Sequence, residues 1–251
     1  MNPAPGRPHR TEESRKTVST PAIPDFAAII VMAGSGTRLS ARVPKAFVPL
    51  GGRPLWQHAA GVFSGIEACR AVVLVTPDDR VDEVKRAMHG AIVVAGGARR
   101  QDSVRHELDA LPPGTAVVAI HDAARPFVRP QTILAAVSEA AKSGASVVAA
   151  PVRDTIKRVS QGRVVETLER SVLHQAQTPQ CFRLDLIRKA HKAAESQGWE
   201  VTDDCALLER LGYDVAVVRG DAWNFKITDP EDLAAAEALV ALRADSGKER
   251  R

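Results

Sequence analysis

Residues 26–33 read Phe-Ala-Ala-Ile-Ile-Val-Met-Ala, and 34–45 continue Gly-Ser-Gly-Thr-Arg-Leu-Ser-Ala-Arg-Val-Pro-Lys. An unbroken apolar run does not fit a half-exposed strand, which alternates. It fits a strand buried on both faces, as in a parallel sheet. Similar runs recur at 71–76 (AVVLVT), 91–95 (AIVVA), 116–120 (AVVAI), 145–150 (ASVVAA) and 214–218 (DVAVV). The gaps carry helical patterns at 54–64, 79–88, 100–111, 130–143, 184–197, 202–211 and 230–242. Thr202, Asp203 and Asp229 are suited to cap helices, and Gly198 and Gly212 to end them. Strand–helix alternation of this kind predicts an α/β domain: a mostly parallel sheet with helices on both faces.

One stretch departs from the alternation. Residues 151–173 (PVRDTIKRVSQGRVVETLERSVL) hold two short runs of alternating polarity around Ser160-Gln161-Gly162. That is a hairpin signal, and its amphipathic strands belong outside the buried sheet. A lone hairpin of this size is marginal in water, so it is expected to pack on another surface, of which a second copy of the chain is the first candidate.

The chain has 251 residues, 45% of them hydrophobic and 25% charged, which suits a folded globular protein and excludes a disordered chain. No apolar run is long enough for a membrane span, and the N-terminal residues lack the core of a secretory signal. Three cysteines, Cys69, Cys181 and Cys205, stand far apart without metal-ligand spacing. A reduced, cytoplasmic protein is expected. Net charge is +4, but +1 lies in residues 1–25 and +2 in 243–251, leaving +1 for 26–242. A nearly neutral body speaks against nucleic-acid binding. Residues 1–25 hold five of the sixteen prolines and read as a disordered tail. A domain over 26–243 and a frayed end over 244–251 complete the expected organisation.

In open α/β sheets ligands bind beyond the carboxyl ends of the strands. The first such loop joins Gly34 and Gly36 to Arg38 and Lys45. Glycines let a backbone approach phosphate, and the two cations suit its oxygens, although a tight turn with surface charges has the same composition. The spacing is neither the dinucleotide fingerprint nor a Walker loop. The second loop, Gly96-Gly97-Ala98-Arg99-Arg100-Gln101-Asp102-Ser103, fits an anion site or a helix start. The third, His121-Asp122-Ala123-Ala124-Arg125, offers a carboxylate for a divalent metal or a sugar hydroxyl, or for a local pair with Arg125. Lys226 precedes the last helix. Four such clusters at strand ends favour an anionic, phosphate-rich ligand.

Seven motifs in order carry a resemblance: AGSGTR to PK (33–45), GGARRQDSV (96–104), HDAARPF (121–127), PVRDTIKR (151–158), QTPQCF (177–182), TDD (202–204) and NFKITDPEDL (224–233). Together they resemble the 2-C-methyl-D-erythritol 4-phosphate cytidylyltransferases of non-mevalonate isoprenoid synthesis, over about residues 26–242. The resemblance implies a three-layer, Rossmann-like nucleotidyltransferase fold. It implies transfer of CMP from CTP to a sugar-alcohol phosphate, with Mg²⁺ or another divalent cation. Catalytic roles would fall to Arg38, Lys45, Arg170 and Lys226. The nucleotide would lie against Ala33, Gly34, Ser35, Gly36, Gly97, Arg100, Asp102 and Ser103. The sugar-alcohol phosphate would meet Asp122, Arg125, Thr155 and Thr178, with Asp122 also the metal ligand. Thr155 and Arg170 would come from the hairpin arm of a homodimer partner. A pentitol (ribitol) 5-phosphate cytidylyltransferase shares most of these motifs and is the alternative. The histidines, including His121, are expected to be packing or surface residues, and Cys205 a helix core residue. Trp223 stands where related chains are often polar, at the edge of the expected substrate pocket.

Overall fold

A computed structural model describes residues 23–32, 39, 43–96, 104 and 107–248. Seven strands form the main sheet: β1 (Phe26–Val31), β4 (Cys69–Thr76), β5 (Ile92–Ala95), β6 (Val117–Asp122), β7 (Ala145–Pro151), β10 (His174–Arg183) and β11 (Ala216–Arg219). Their order is β11-β7-β10-β6-β1-β4-β5. All neighbours pair in parallel except at β10, which runs antiparallel to both β6 and β7. Two short strands, β2 (Pro49–Leu50) and β3 (Arg53–Pro54), pair with each other, as do β8 (Lys157–Ser160) and β9 (Arg163–Thr167). The helices are α1 (Leu55–Ser64), α2 (Val81–Ala87), α3 (Pro130–Ser143), α4 (Leu184–Gln197), α5 (Cys205–Arg210) and α6 (Pro230–Lys248). Residues 104 and 107–109 are also helical.

The continuous apolar run of β1 has a simple cause. Ala28 and Ile30 face one core with Trp56, Ala59 and Phe63 of α1 and Ile133 and Val137 of α3. Ala27, Ile29 and Val31 face the other, with Leu108, Ile187 and Ala190 of α4, and Leu207 and Leu208 of α5. Every residue of β1 is buried, and each fully buried Ile contributes about 1.5–3 kcal/mol. A polar residue on either face of this strand would enter a core. The three-layer α/β architecture is therefore as the sequence implied.

The apolar pattern does not reveal β10. Its buried segment Gln177-Thr178-Pro179-Gln180 is polar and contains a proline, which ordinarily argues against a central strand. Here the ladder with β7 is interrupted: Ala176 pairs Ala149, while Gln180 pairs Val147. The intervening residues bulge out of register, so Pro179 owes no hydrogen bond there, and Gln177 and Thr178 are turned to other partners. The peptide between Thr178 and Pro179 is cis.

The hairpin lies where expected and apart from the main sheet. Gln161 (φ 50°) and Gly162 (φ 73°) form its turn. Both central residues have positive φ, the condition of a two-residue hairpin turn that matches strand twist. α6 begins with reciprocal capping: Asp232 N–H donates to Asp229 Oδ1 at 2.9 Å, and Asp232 Oδ2 accepts from Thr228 N–H at 2.7 Å. It extends to Lys248, past Leu242, where its apolar periodicity runs out. Asp203 Oδ1 accepts the Ala206 N–H at 3.1 Å in the first turn of α5, whose N-cap is Asp204.

Candidate active site

The parallel strands β1, β6, β7 and β11 deliver their carboxyl ends to one edge, and antiparallel β10 begins there. The register sets Val31 opposite Asp122, and Ala123 N–H donates to Val31 O at 3.1 Å. The end of β1 thus lies beside Asp122. Lys45 opens the 3-10 turn Lys45–Phe47 that follows the glycine loop in sequence, and it is half-buried.

Asp122 is 8% exposed and receives two cations on the same oxygen. Lys226 Nζ lies 2.8 Å from its Oδ2 and Arg125 Nε 3.8 Å. Arg125 is held further by the backbone: Nη1 donates to Asn224 O at 2.8 Å and Nη2 to Ala176 O at 3.3 Å. Burial lowers the affinity of this guanidinium for its proton and Asp122 opposes that. Lys226 reaches the site because Ile227 N–H donates to Ala124 O at 2.9 Å, joining its loop to the β6 exit.

His121 is buried behind this cluster and its tautomer follows from its neighbours. Nε2 lies 3.0 Å from Arg125 O, so Nε2 carries the hydrogen. Nδ1 then accepts from the Thr178 hydroxyl at 3.0 Å. The same hydroxyl oxygen accepts the Asp122 N–H at 3.0 Å. Burial pushes the His121 pKa down to about 4, despite the Arg125 carbonyl and Asp122. The imidazole is therefore neutral at pH 7 and orients its neighbours.

A cleft of about 710 Å³ opens beside Lys226 and Arg125, where Arg153, Asp154, Arg219 and Asp221 add charge. Its cations outnumber its carboxylates, as an anionic ligand requires. Among the described residues no three His, Cys, Asp or Glu side chains gather as a metal-binding group.

The chain matches the IspD model, described as 2-C-methyl-D-erythritol 4-phosphate cytidylyltransferase, over residues 26–242. It belongs to that family. The cytidylyltransferase of Halalkalibacterium halodurans is 44% identical over 223 residues, 86% of this chain and 97% of that one. The crystal structure of the Thermus thermophilus cytidylyltransferase superposes with a TM-score of 0.73 at 34% identity, covering 86% of this chain and 99% of its own. The structure of the Anaerococcus prevotii 4-diphosphocytidyl-2C-methyl-D-erythritol synthase gives 0.77 at 29% identity, covering 88% and 100%. The chain is thus a nucleotidyltransferase, and the ribitol alternative is not favoured.

Of the residues that the cytidylyltransferase resemblance pointed to, Asp122, Arg125, Thr178 and Lys226 come together at one sheet edge. Thr155 and Arg170 lie on the arm, exposed, and Arg170 Nη1 donates to Arg153 O at 2.7 Å. They are not among the residues lining the cleft, whereas Arg153 and Asp154 at the base of the arm are. Ala33, Gly34, Ser35, Gly36, Arg38, Gly97, Arg100, Asp102 and Ser103 lie outside the described residues. Trp223 is 48% exposed beside the cleft loop. Sequence reasoning missed Asn224, Gln177, Arg219 and Asp221. Asn224 and Gln177 sit inside the quoted motifs, yet an amide in a loop has no chemical signature until its partners are known. All three cysteines are free thiols. Burial raises Cys69 to about 11 and moves Cys181 and Cys205 the same way, so none is a nucleophile at neutral pH.

Proposed function

We propose that the chain transfers CMP from CTP to the phosphate of 2-C-methyl-D-erythritol 4-phosphate. The products are 4-diphosphocytidyl-2-C-methyl-D-erythritol and pyrophosphate. The observation that carries the residue assignment is the cationic cluster around Asp122, beside the end of β1, in a chain of this family. An acceptor phosphate oxygen forms the new bond to the α-phosphorus of CTP while the bond from that phosphorus to the pyrophosphate oxygen breaks. A phosphate monoester has its second pKa near 6, so the nucleophile is already ionised and no general base is needed. The low pKa of His121 agrees with that, since His121 is committed to Thr178 and the Arg125 carbonyl.

The chemistry therefore calls for neutralising charge where two anions meet. Arg38 and Lys45 serve the nucleotide phosphates, with the backbone of Ala33, Gly34, Ser35, Gly36 and Gly97, and with Arg100, Asp102 and Ser103, around the nucleotide. Lys226 and Arg125 receive the acceptor phosphate, with Thr178 holding Asp122 in place. A single strand-end carboxylate suits Mg²⁺, which is commonly held by one or two carboxylates together with substrate phosphates. Asp122 would be its protein ligand. When bound, the cation neutralises phosphate charge and fixes the triphosphate.

The arm supports a homodimer. Every residue of β8 and β9 is exposed, and Val159, Val164, Val165 and Val172 are 52–74% exposed. Thr155 and Arg170 then complete the site of the partner. No described helix is long and apolar enough to cross a membrane, and free cysteines are in keeping with the reducing cytoplasm.

Pyrophosphate release tests the assignment, using each nucleoside triphosphate with either 2-C-methyl-D-erythritol 4-phosphate or ribitol 5-phosphate. CTP with the erythritol phosphate is expected to exceed every other pair by at least about a hundredfold in kcat/KM. Chelation of divalent cations is expected to abolish it. Equal turnover of ribitol 5-phosphate, or of another nucleotide, would overturn the assignment.

A further inference from the structure

The acceptor-side cations come from separate segments: Arg125 from the exit of β6, and Lys226 from the loop before α6. Both must hold one phosphate, so their separation has to be fixed by something other than Asp122 alone. Asn224 sits between them and is 3% exposed. Its Nδ2 donates to Thr178 O at 2.8 Å and to Gln177 Oε1 at 3.1 Å. Its backbone carbonyl accepts Arg125 Nη1 at 2.8 Å. Its own N–H is taken by Asp221 Oδ1 at 3.2 Å.

The amide orientations are fixed by groups that have only one role. Thr178 O can only accept, so the Asn224 nitrogen faces it. Gln177 Nε2 donates to Asp221 O at 2.9 Å, which can also only accept, and so Gln177 presents its oxygen to Asn224. The surroundings are tight: a Cβ on Gly220 would collide with Gln177 Oε1 and come within 2.9 Å of Val148 Cγ1. The bulge in β10 makes this possible, because it turns Gln177 and Thr178 out of the ladder with β7. The chain of bonds thus runs from His121 through Thr178 to Asn224, and from there to Arg125 and to the loop of Lys226.

We propose that Asn224, held by Gln177, is a positioning residue that sets Arg125 and Lys226 at the spacing an acceptor phosphate requires. It touches neither substrate and acts through the two cations. This rests on the acceptor-side reading of Arg125 and Lys226 given above. Because the nucleotide side of the site belongs to other loops, loss of Asn224 falls on the acceptor alone.

Steady-state kinetics of Asn224→Ala, Lys226→Met and the double variant, with melting temperatures, test this. In Asn224→Ala, kcat/KM for 2-C-methyl-D-erythritol 4-phosphate is expected to fall roughly ten- to a hundredfold, the scale of a small misplacement. Most of that fall is expected as a rise in the acceptor KM, with the KM for CTP within about twofold, whereas a general loss of folded enzyme lowers kcat and moves neither KM. The double variant is expected to lose clearly less than the product of the two single losses, because both disturb one unit. Should Asn224→Ala fail to fold, Gln177→Met carries the test, with the same split and a smaller loss of roughly three- to tenfold. Unchanged acceptor kinetics in Lys226→Met would defeat the acceptor-side reading itself. Normal acceptor kinetics in Asn224→Ala or, where that variant does not fold, in Gln177→Met, beside a damaged Lys226→Met, would defeat this proposal alone. So would single losses that multiply in the double variant.

Discussion

Around Asp122 the side chains are buried and bonded in series, from His121 through Thr178 to Asp122, and from Asn224 to Arg125. Along β8 and β9 every residue is exposed, and the bonds are local cross-strand ones, such as Arg158 to Glu166 and Lys157 to Thr167. The first region is preorganised by its own chain: burial and directional bonds leave its charges one arrangement. The second keeps three valines, Val159, Val164 and Val165, in water that a single chain does not cover. A cluster that must meet a dianion gains from rigidity. In the proposed dimer a hairpin with both faces exposed would gain its order from a partner surface. The two regions meet at the cleft, where Arg153 and Asp154 from the base of the arm stand beside Lys226 and Arg125.

The sharpest way to break the preorganised region is to remove its charges. Asp122→Asn and Lys226→Met are each expected to cost about two to three decades in kcat/KM, the scale of a lost transition-state contact. The melting temperature should change little in Lys226→Met, since that side chain is 42% exposed. Pyrophosphate-release kinetics beside thermal melts check both. Near-normal turnover in either variant would remove that residue from the site.

Breaking the arm calls for a different variant. A charge at Val164, opposite Val159 in the hairpin, is expected to weaken association and leave the body folded. Val164→Asp should then lower specific activity by roughly tenfold or more at nanomolar protein, and regain much of it at high concentration. Sedimentation and activity measured across a dilution series decide this. Concentration-independent activity in a monomeric variant would separate the arm from the site.

A further effect concerns the pH dependence of stability in the buried region. The folded-state pKa of His121, about 4, lies below the ordinary 6.5. Between those values the unfolded chain binds a proton that the folded chain refuses, so stability falls as pH drops from 6.5 to 4. The loss is about 3 kcal/mol for this fully buried imidazole, and it is complete below pH 4. His121→Asn should show a flatter dependence over that window in urea unfolding. Parallel slopes for His121→Asn and the unaltered chain would contradict the burial account.

How much of this was legible in the sequence differs by region for physical reasons. The parallel strands announce themselves because burial on both faces demands unbroken apolar runs, as in β1. The hairpin is legible because Gln161-Gly162 meets a conformational requirement that few residue pairs satisfy. β10 was hidden: its buried centre is polar and holds Pro179, since its side chains serve the site rather than the core. Asp122, Arg125 and Lys226 were legible as charges at strand ends. Asn224 and Gln177 were not, because their role resides in which carbonyls they meet, and those lie 46 and 44 residues away in sequence.

In the proposed dimer one site joins the body of one chain to the arm of another, and mixing two inactive variants tests this arrangement. Lys45→Ala damages the body and Arg170→Ala damages the arm, so either homodimer is expected to be nearly inactive. In a heterodimer one site collects both defects, while the other joins an intact body to an intact arm. Co-expression or co-refolding at equal amounts should therefore restore activity at about one quarter of all sites. If Arg170 served its own chain, every site would keep a defect. A mixture that stays inactive after demonstrated subunit exchange would contradict the shared site.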